Sequence, residues 1–325
     1  MQAERSSLDW LLFAILSCLW ASAFALTRIA VNQDAPEHGL PPELVTPLRI
    51  TGGAVILLIV AFKSASKWPD WRKWRLWLAM ALMGLVGTTA PFYLITQAQR
   101  TVDSSLAALY VAAAPLFVAI LAHMAFHDDR LSGRKIIGLL VGFAGVAVLF
   151  GPEAATAFGS ADVTAQALCL AATACYACSS IVARLAREIP PPIFAAGFVT
   201  SGAILSWPML AGVDFETLQP APSTWIAVAA LAIGPTAVAS TLYMVVIQRT
   251  SATFLSLTGY AIPILSAIIG FFAFREMQDW NAALAFLLIL GGVWLSQRAG
   301  GPPAAVEPIS SAARPQSPSH SGPAA

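Results

Sequence analysis

Ten apolar stretches, each near the length of about twenty residues that a helix needs to cross the hydrocarbon core, run along the chain with short polar connections between them. They lie at 9–31, 42–62, 74–96, 103–126, 133–150, 163–184, 193–212, 223–246, 253–274 and 279–297. The pattern predicts an all-α integral membrane protein with ten transmembrane helices, the fifth of them short. The first stretch is too long for a signal-peptide core and no small-x-small cleavage pattern follows it, so it reads as a retained span. From position 298 the sequence turns rich in Pro, Ser and Ala, which predicts a disordered tail over 298–325.

Composition agrees with this pattern and sharpens it. Hydrophobic residues make up 58% of the 325 and charged ones only 11%, so water is not the main solvent of this chain. A formal net charge of +1 offers no basic face to nucleic acid. The placement of charge says more than its sum. With the N-terminus in the cytoplasm, the clusters between Lys63 and Arg75, between Arg130 and Lys135, and at Arg184 and Arg187 fall inside, with Arg5, Arg249, Arg298 and Arg314. Only Arg28, Arg100 and Arg275 fall outside. Both termini are therefore predicted to be cytoplasmic.

Cys18, Cys169, Cys175 and Cys178 all stand within apolar stretches, where neither a disulfide framework nor a zinc knuckle forms. Cys175 and Cys178 make a C-x-x-C one helical turn apart in an Ala-rich run, which reads as small packing residues. The chain has no H-E-x-x-H, no P-loop and no G-x-S-x-G. A catalytic function, a metal and a cofactor are accordingly not expected.

The halves repeat. Trp20-Ala21 followed by Arg28 matches Tyr176-Ala177 followed by Arg184. Gln99-Arg100-Thr101 matches Gln248-Arg249-Thr250, each preceded by a glycine, Gly87 or Gly234. Pro115 then Asp128 matches Pro263 then Glu276 at equal spacing, and each half closes on a Gly-Val step, Gly145-Val146 or Gly292-Val293. The predicted organisation is a cytoplasmic N-terminus over 1–8, a first five-helix repeat over 9–150, an extracytoplasmic linker over 151–162, a second repeat over 163–297 and the tail. Five helices per repeat is an odd number, so the halves lie in opposite orientations across the membrane. Such inverted symmetry suits alternating access to a site near the midplane, and disfavours a channel or a passive scaffold.

With these residues in place, the chain resembles the drug/metabolite transporter superfamily, EamA type, a ten-helix family of two five-helix repeats. The resemblance rests on W-A-S-A-F at 20–24, Arg49 within the second stretch, the Q-R-T turns, and the proline-to-acid spacing that ends at Asp128 and Glu276. It implies export, or less often uptake, of amino acids or similar small polar metabolites across the inner membrane, driven by a coupling proton or other ion or by the solute's own gradient. The expected partners are thus a small-molecule solute, such an ion and the lipid bilayer; the oligomeric state stays open.

Among candidate site residues, Arg49 has two readings, a partner for a solute carboxylate or a side chain reaching to the nearby interface. Trp20 and Tyr176 hold matching places near mid-membrane, where an aromatic ring with a polar handle suits a cavity wall. Tyr93, Tyr110, Tyr243 and Tyr260 are further candidate lining residues, with helix packing as the alternative for each. Gln97 and Gln248 read as helix-end caps. Asp128 and Glu276, near Arg130 and Arg275, are candidates for a gate or helix-end ion pair. Pro115 and Pro263 join them as symmetric helix interruptions.

Overall fold

The computed structural model describes residues 6–64, 67–125, 132–150, 161–185, 189–249, 254 and 257–298. Most of the predicted linker, most of the predicted tail, and Asp128 lie outside these. Every regular element among the described residues is helical. We number the helical segments in chain order and join those separated only by a π turn or a two-residue break. They are α1 (Ser7–Val31), α2 (Pro42–Lys63), α3 (Trp74–Ala98), α4 (Ser104–Ala125), α5 (Gly133–Phe150), α6 (Ala161–Leu185), α7 (Pro191–Gly212), α8 (Pro222–Leu231 through Ala239–Arg249), α9 (Thr258–Phe274) and α10 (Trp280–Arg298). Seven of the helices are long and apolar enough to cross a membrane by length and composition, and α9 and α10 are shorter apolar helices.

Local chemistry sets the helix ends. Ser6 caps α1 in a capping box with Asp9, whose carboxylate accepts from the Ser6 amide and hydroxyl, and the helix stops where Asn32 turns left-handed at φ 46°. Pro42 stands in the first turn of α2 and Pro222 in that of α8, where a missing N–H costs nothing. Two helices change pitch in mid-course: α3 winds as a π-helix over Leu85–Thr89, and α8 over Ala232–Val238. Prolines account for both. Pro91 and Pro235 withhold an N–H and crowd the carbonyl four residues earlier, so the helix opens locally.

Contacts between the termini fix the directions of the helices. At one end of the bundle the Leu40 amide ahead of α2 donates to Ala30 of α1, and the Ala221 amide ahead of α8 donates to His38. The ends of α1 and α9 meet the start of α4 at the same place, through side chains described below. At the other end Arg249, closing α8, donates to Asp9, opening α1, at 2.9 Å. Hence α1 and α8 run antiparallel, as do α4 and α9.

The core lies in several clusters between helices. The largest wraps α4, α5, α6 and α10, with Leu116, Cys169, Ala285 and Ile289 fully enclosed. Within it α5 and α10 meet backbone to backbone. A Cβ at Gly292 would stand 2.4 Å from the Gly142 nitrogen, and one at Gly138 would stand 2.6 Å from the Ser296 nitrogen. Small residues at helix spacing allow this approach, from which packing in an apolar solvent gains most. A second contact of the kind joins α2 to α8: a Cβ at Gly53 would press within 2.5 Å of the Thr236 methyl. Its counterpart joins α7 to α3, where Gly202 lies under Thr88 and the Thr89 hydroxyl donates to the Gly202 carbonyl at 2.9 Å. Each π segment is thus docked on a glycine of a neighbouring helix.

Candidate functional site

Arg49 stands eighth in α2, about 10 Å along the axis from its first residue at 1.5 Å per residue. It is 6% exposed. Its Nε donates to Thr236 Oγ1 at 3.1 Å, and its guanidinium lies over the Phe92 ring at 3.8 Å from the centroid. The Tyr176 side chain is within electrostatic reach. The side chain therefore does not reach out to the interface; it turns inward among α3, α6 and α8. Among the described residues the two terminal amino groups have no hydrogen-bond partner and the guanidinium has no ion pair.

The Thr236 hydroxyl is spoken for on both sides. Pro235 denies the Leu231 carbonyl its α-helical donor, the chain winds there as a π turn, and Thr236 Oγ1 also donates to that carbonyl at 2.8 Å. Its single proton so engaged, the oxygen presents only lone pairs to Arg49, as a cation requires. Thr236→Val keeps the shape but removes the acceptor of the Arg49 Nε, while the Leu231 carbonyl keeps the amide donor of the π turn. That loss costs about 1–3 kcal/mol, so the variant is expected to melt a few degrees lower in detergent, checked by thermal unfolding against Thr236→Ser, which keeps the hydroxyl.

The other predicted lining residues fall in different surroundings. Trp20 and Tyr243 face each other at 5.9 Å between ring centroids, pairing α1 with α8. The Tyr93 hydroxyl donates to Glu43 at 2.7 Å, and Gln97, read from sequence as a cap, donates to the same carboxylate at 2.8 Å. Tyr110 is fully buried in the largest core cluster, with its hydroxyl on Gln166 at 2.6 Å. That ring is filled round by α4 and α6, and it fits the packing alternative. Tyr260 packs half-buried against the same cluster. Pro115 follows a break at Ala112–Ala113 in α4, whereas Pro263 is buried within continuous helix.

Glu276 gathers the densest polar cluster. Arg275 is left-handed at φ 60°, which turns the chain so that Glu276 folds back beneath Gly270, where a Cβ would collide with its Oε2. The carboxylate accepts from the Ser104 amide at 3.0 Å and hydroxyl at 2.8 Å, and from the Ser105 amide at 3.0 Å and hydroxyl at 2.5 Å. A residue from the end of α9 thus caps the start of α4, whose own N-cap, Asp103, makes no side-chain cap bond. The basic partner is not the exposed Arg275, as the sequence suggested, but Arg28 of α1. Its Nη1 donates to Glu276 at 2.7 Å and to Asp103 at 2.8 Å, and its Nη2 to Asp34 at 3.2 Å. Burial works to raise the Glu276 pKa, but the Ser105 and Ser104 donors outweigh it and hold the carboxyl below the usual range. Burial moves Asp103 the other way.

Close by, a cavity of about 460 Å³ opens between Val31, Gln33, Arg100, Thr101 and Leu168. Sequence reading did not find Thr236, Phe92, Arg28, Ser104 or Ser105 as site residues, although the Gly-Thr-Thr and Gly-Pro-Thr runs of α3 and α8 mark the π segments.

An all-helical bundle with seven membrane-length apolar helices, a cation buried in its interior and an ion-paired cap at one end belongs to the class of polytopic membrane proteins. A profile described as the EamA-like transporter family matches the chain twice, over residues 8–151 and again over 163–297. The chain belongs to the EamA-like transporter family. It is 33% identical over 168 residues to the aromatic amino acid exporter YddG of Ancylobacter novellus, an alignment covering 50% of this chain and 57% of that protein. It is 26% identical over 291 residues to the uncharacterized transporter YdfC of Bacillus subtilis, covering 85% of this chain and 86% of that one. A crystallographic structure superposes with a TM-score of 0.61 over 90% of this chain and 98% of its own at 24% identity, a likeness of fold.

Proposed function

We propose that the protein is a secondary transporter that exports amino acids or related small polar metabolites across the inner membrane by alternating access. The observation that carries this reading is Arg49, a buried guanidinium whose two amino groups have no partner among the described residues, inside an apolar bundle. Such a charge costs about 2.5–3.5 kcal/mol even on lenient insertion scales. A solute carboxylate would offset that cost whenever the site is loaded.

The reading takes the chain as ten spans in two inverted five-helix repeats, with both termini cytoplasmic. The two family matches, the opposite directions of α4 and α9, and the paired π segments of α3 and α8 all support it. The Lys and Arg placement puts the Arg28–Glu276 cluster at the extracytoplasmic end, where it serves as a gate closed in this conformation. Asp128 holds the matching position in the first half. The Ancylobacter relative, named as an exporter of aromatic amino acids, favours amino-acid-like solutes and the outward direction.

The test is solute counterflow in liposomes holding the purified full chain, preloaded with an unlabelled mixture of amino acids and related carboxylates. Saturable uptake of labelled members above protein-free liposomes is the expected result. A broad panel of amino acids, carboxylates, amines and nucleosides with no counterflow would overturn the carrier reading.

A further inference from the structure

The charge balance at Arg49 narrows the cargo. In all ten apolar stretches Asp and Glu stand only in the first turn, at Asp9, Glu43, Asp103 and Asp279. Arg49 is the one charged residue placed beyond the terminal turns. The only carboxylate in α2, Glu43, stands six residues before it and is held by Tyr93 and Gln97. At the depth of Arg49 the charge sum is therefore positive when the site is empty, since Glu43, whose charge its neutral donors leave in place, stands nearer the end of α2. A zwitterion leaves that sum unchanged, because its ammonium enters one carbon away from the carboxylate that neutralises Arg49. A carboxylate without an ammonium brings the sum to zero.

From this we infer that the preferred cargo is an organic monoanion: a carboxylate with a hydroxyl, oxo or acylamino group where an amino acid has its ammonium, on an apolar or aromatic body. The inference rests on the reading of Arg49 as the solute's anchor and goes further by stating what the site lacks. The lining agrees. Phe92 covers one face of the guanidinium, so an anion approaches along the edge that bears the two amino groups without a partner among the described residues, the geometry of a bidentate carboxylate pair. Thr236 offers no proton to spare, and its lone pairs face Arg49. Buried unpaired charge is the costliest state for an ion in a low-dielectric interior, and it weighs on the occluded state that every transport cycle crosses.

The experiment compares phenylalanine with phenyllactate and N-acetylphenylalanine, which keep the carboxylate and the ring and lack the ammonium. Counterflow of each labelled compound is followed in liposomes of the full chain, with protein-free liposomes to subtract passive entry. The expected result is at least about tenfold faster exchange of the two anions, consistent with the 1.4 kcal/mol that a factor of ten represents. Arg49→Lys, which keeps the charge, should retain the preference, and Arg49→Gln should lose exchange of both anions. Protein eluting as a single species in detergent guards against misfolding. Phenylalanine exchanging as fast as the anions, or exchange of other amino acids without either anion, overturns the inference and leaves the carrier reading standing. Exchange of nothing on the panel overturns both.

Discussion

Arg49→Gln is expected to lower solute exchange about a hundredfold while leaving the melting temperature of the purified protein unchanged or higher. The two effects have one cause. The guanidinium is buried and has no ion pair among the described residues, so the folded protein carries an uncompensated charge whose removal relieves desolvation. Glutamine can still donate to Thr236, and Phe92 loses only a cation–π contact worth about 1–2 kcal/mol. On the proposed reading transport, by contrast, loses the charge-assisted pair with the solute, worth several kcal/mol in a dry site. A residue retained for packing would give the opposite pattern, with a lower melting temperature and little change in exchange. Counterflow and thermal unfolding on the same preparation separate the two.

The helices were legible because the apolar solvent demands long apolar runs, and the start of α2, α3 and α5 falls at the position read from the pattern. Arg49 was legible for the complementary reason: a lone cation stands out in such a run. What surrounds it was not. Thr236 lies 187 residues away and meets Arg49 only because Pro235 opens α8 into a π turn and Gly53 lets α8 approach α2. Side-chain register between distant helices leaves no mark in local periodicity, so the depth of Arg49 was readable only to within a few residues and its inward turn not at all.

The same limit governed the acidic positions. Sequence proximity suggested Arg275 as the partner of Glu276, but adjacent side chains on a turning backbone point apart, and the left-handed Arg275 sends Glu276 inward to Arg28. Tyr110 illustrates the converse. A phenol deep in an apolar run suits a wet cavity or a buried partner equally, and Gln166, which decides the matter, comes from a different helix. Residue type told what chemistry each side chain needs; tertiary packing told which neighbour supplies it.

Glu276→Gln is expected to destabilise the protein by roughly 3–5 kcal/mol, because it removes the partner of a buried cation. Arg28 keeps Asp103 and Asp34, but Asp34 is largely exposed and neither caps α4. The amide also turns an N–H toward the Ser104 and Ser105 donors, leaving at least one backbone amide of α4 unmet. Acid should act similarly on the parent protein. The folded-state pKa of Glu276 lies below its ordinary value near 4.5, so its contribution is complete above that pH and is lost as pH falls through the depressed value. Asp103, raised by burial, contributes oppositely and favours the folded state as pH falls. Because the Glu276 charge itself helps raise Asp103, Glu276 is isolated by comparing Asp103→Asn with the double variant Asp103→Asn, Glu276→Gln; the difference between their melting curves should be flat from neutrality to about pH 4.5 and shrink below it. With the cluster acting as the proposed extracytoplasmic gate, exchange should slow about tenfold in the variant at neutral pH, since a carrier that cannot close that end loses the inward-facing half of its cycle; unchanged exchange with a lowered melting temperature would reduce the cluster to a structural cap.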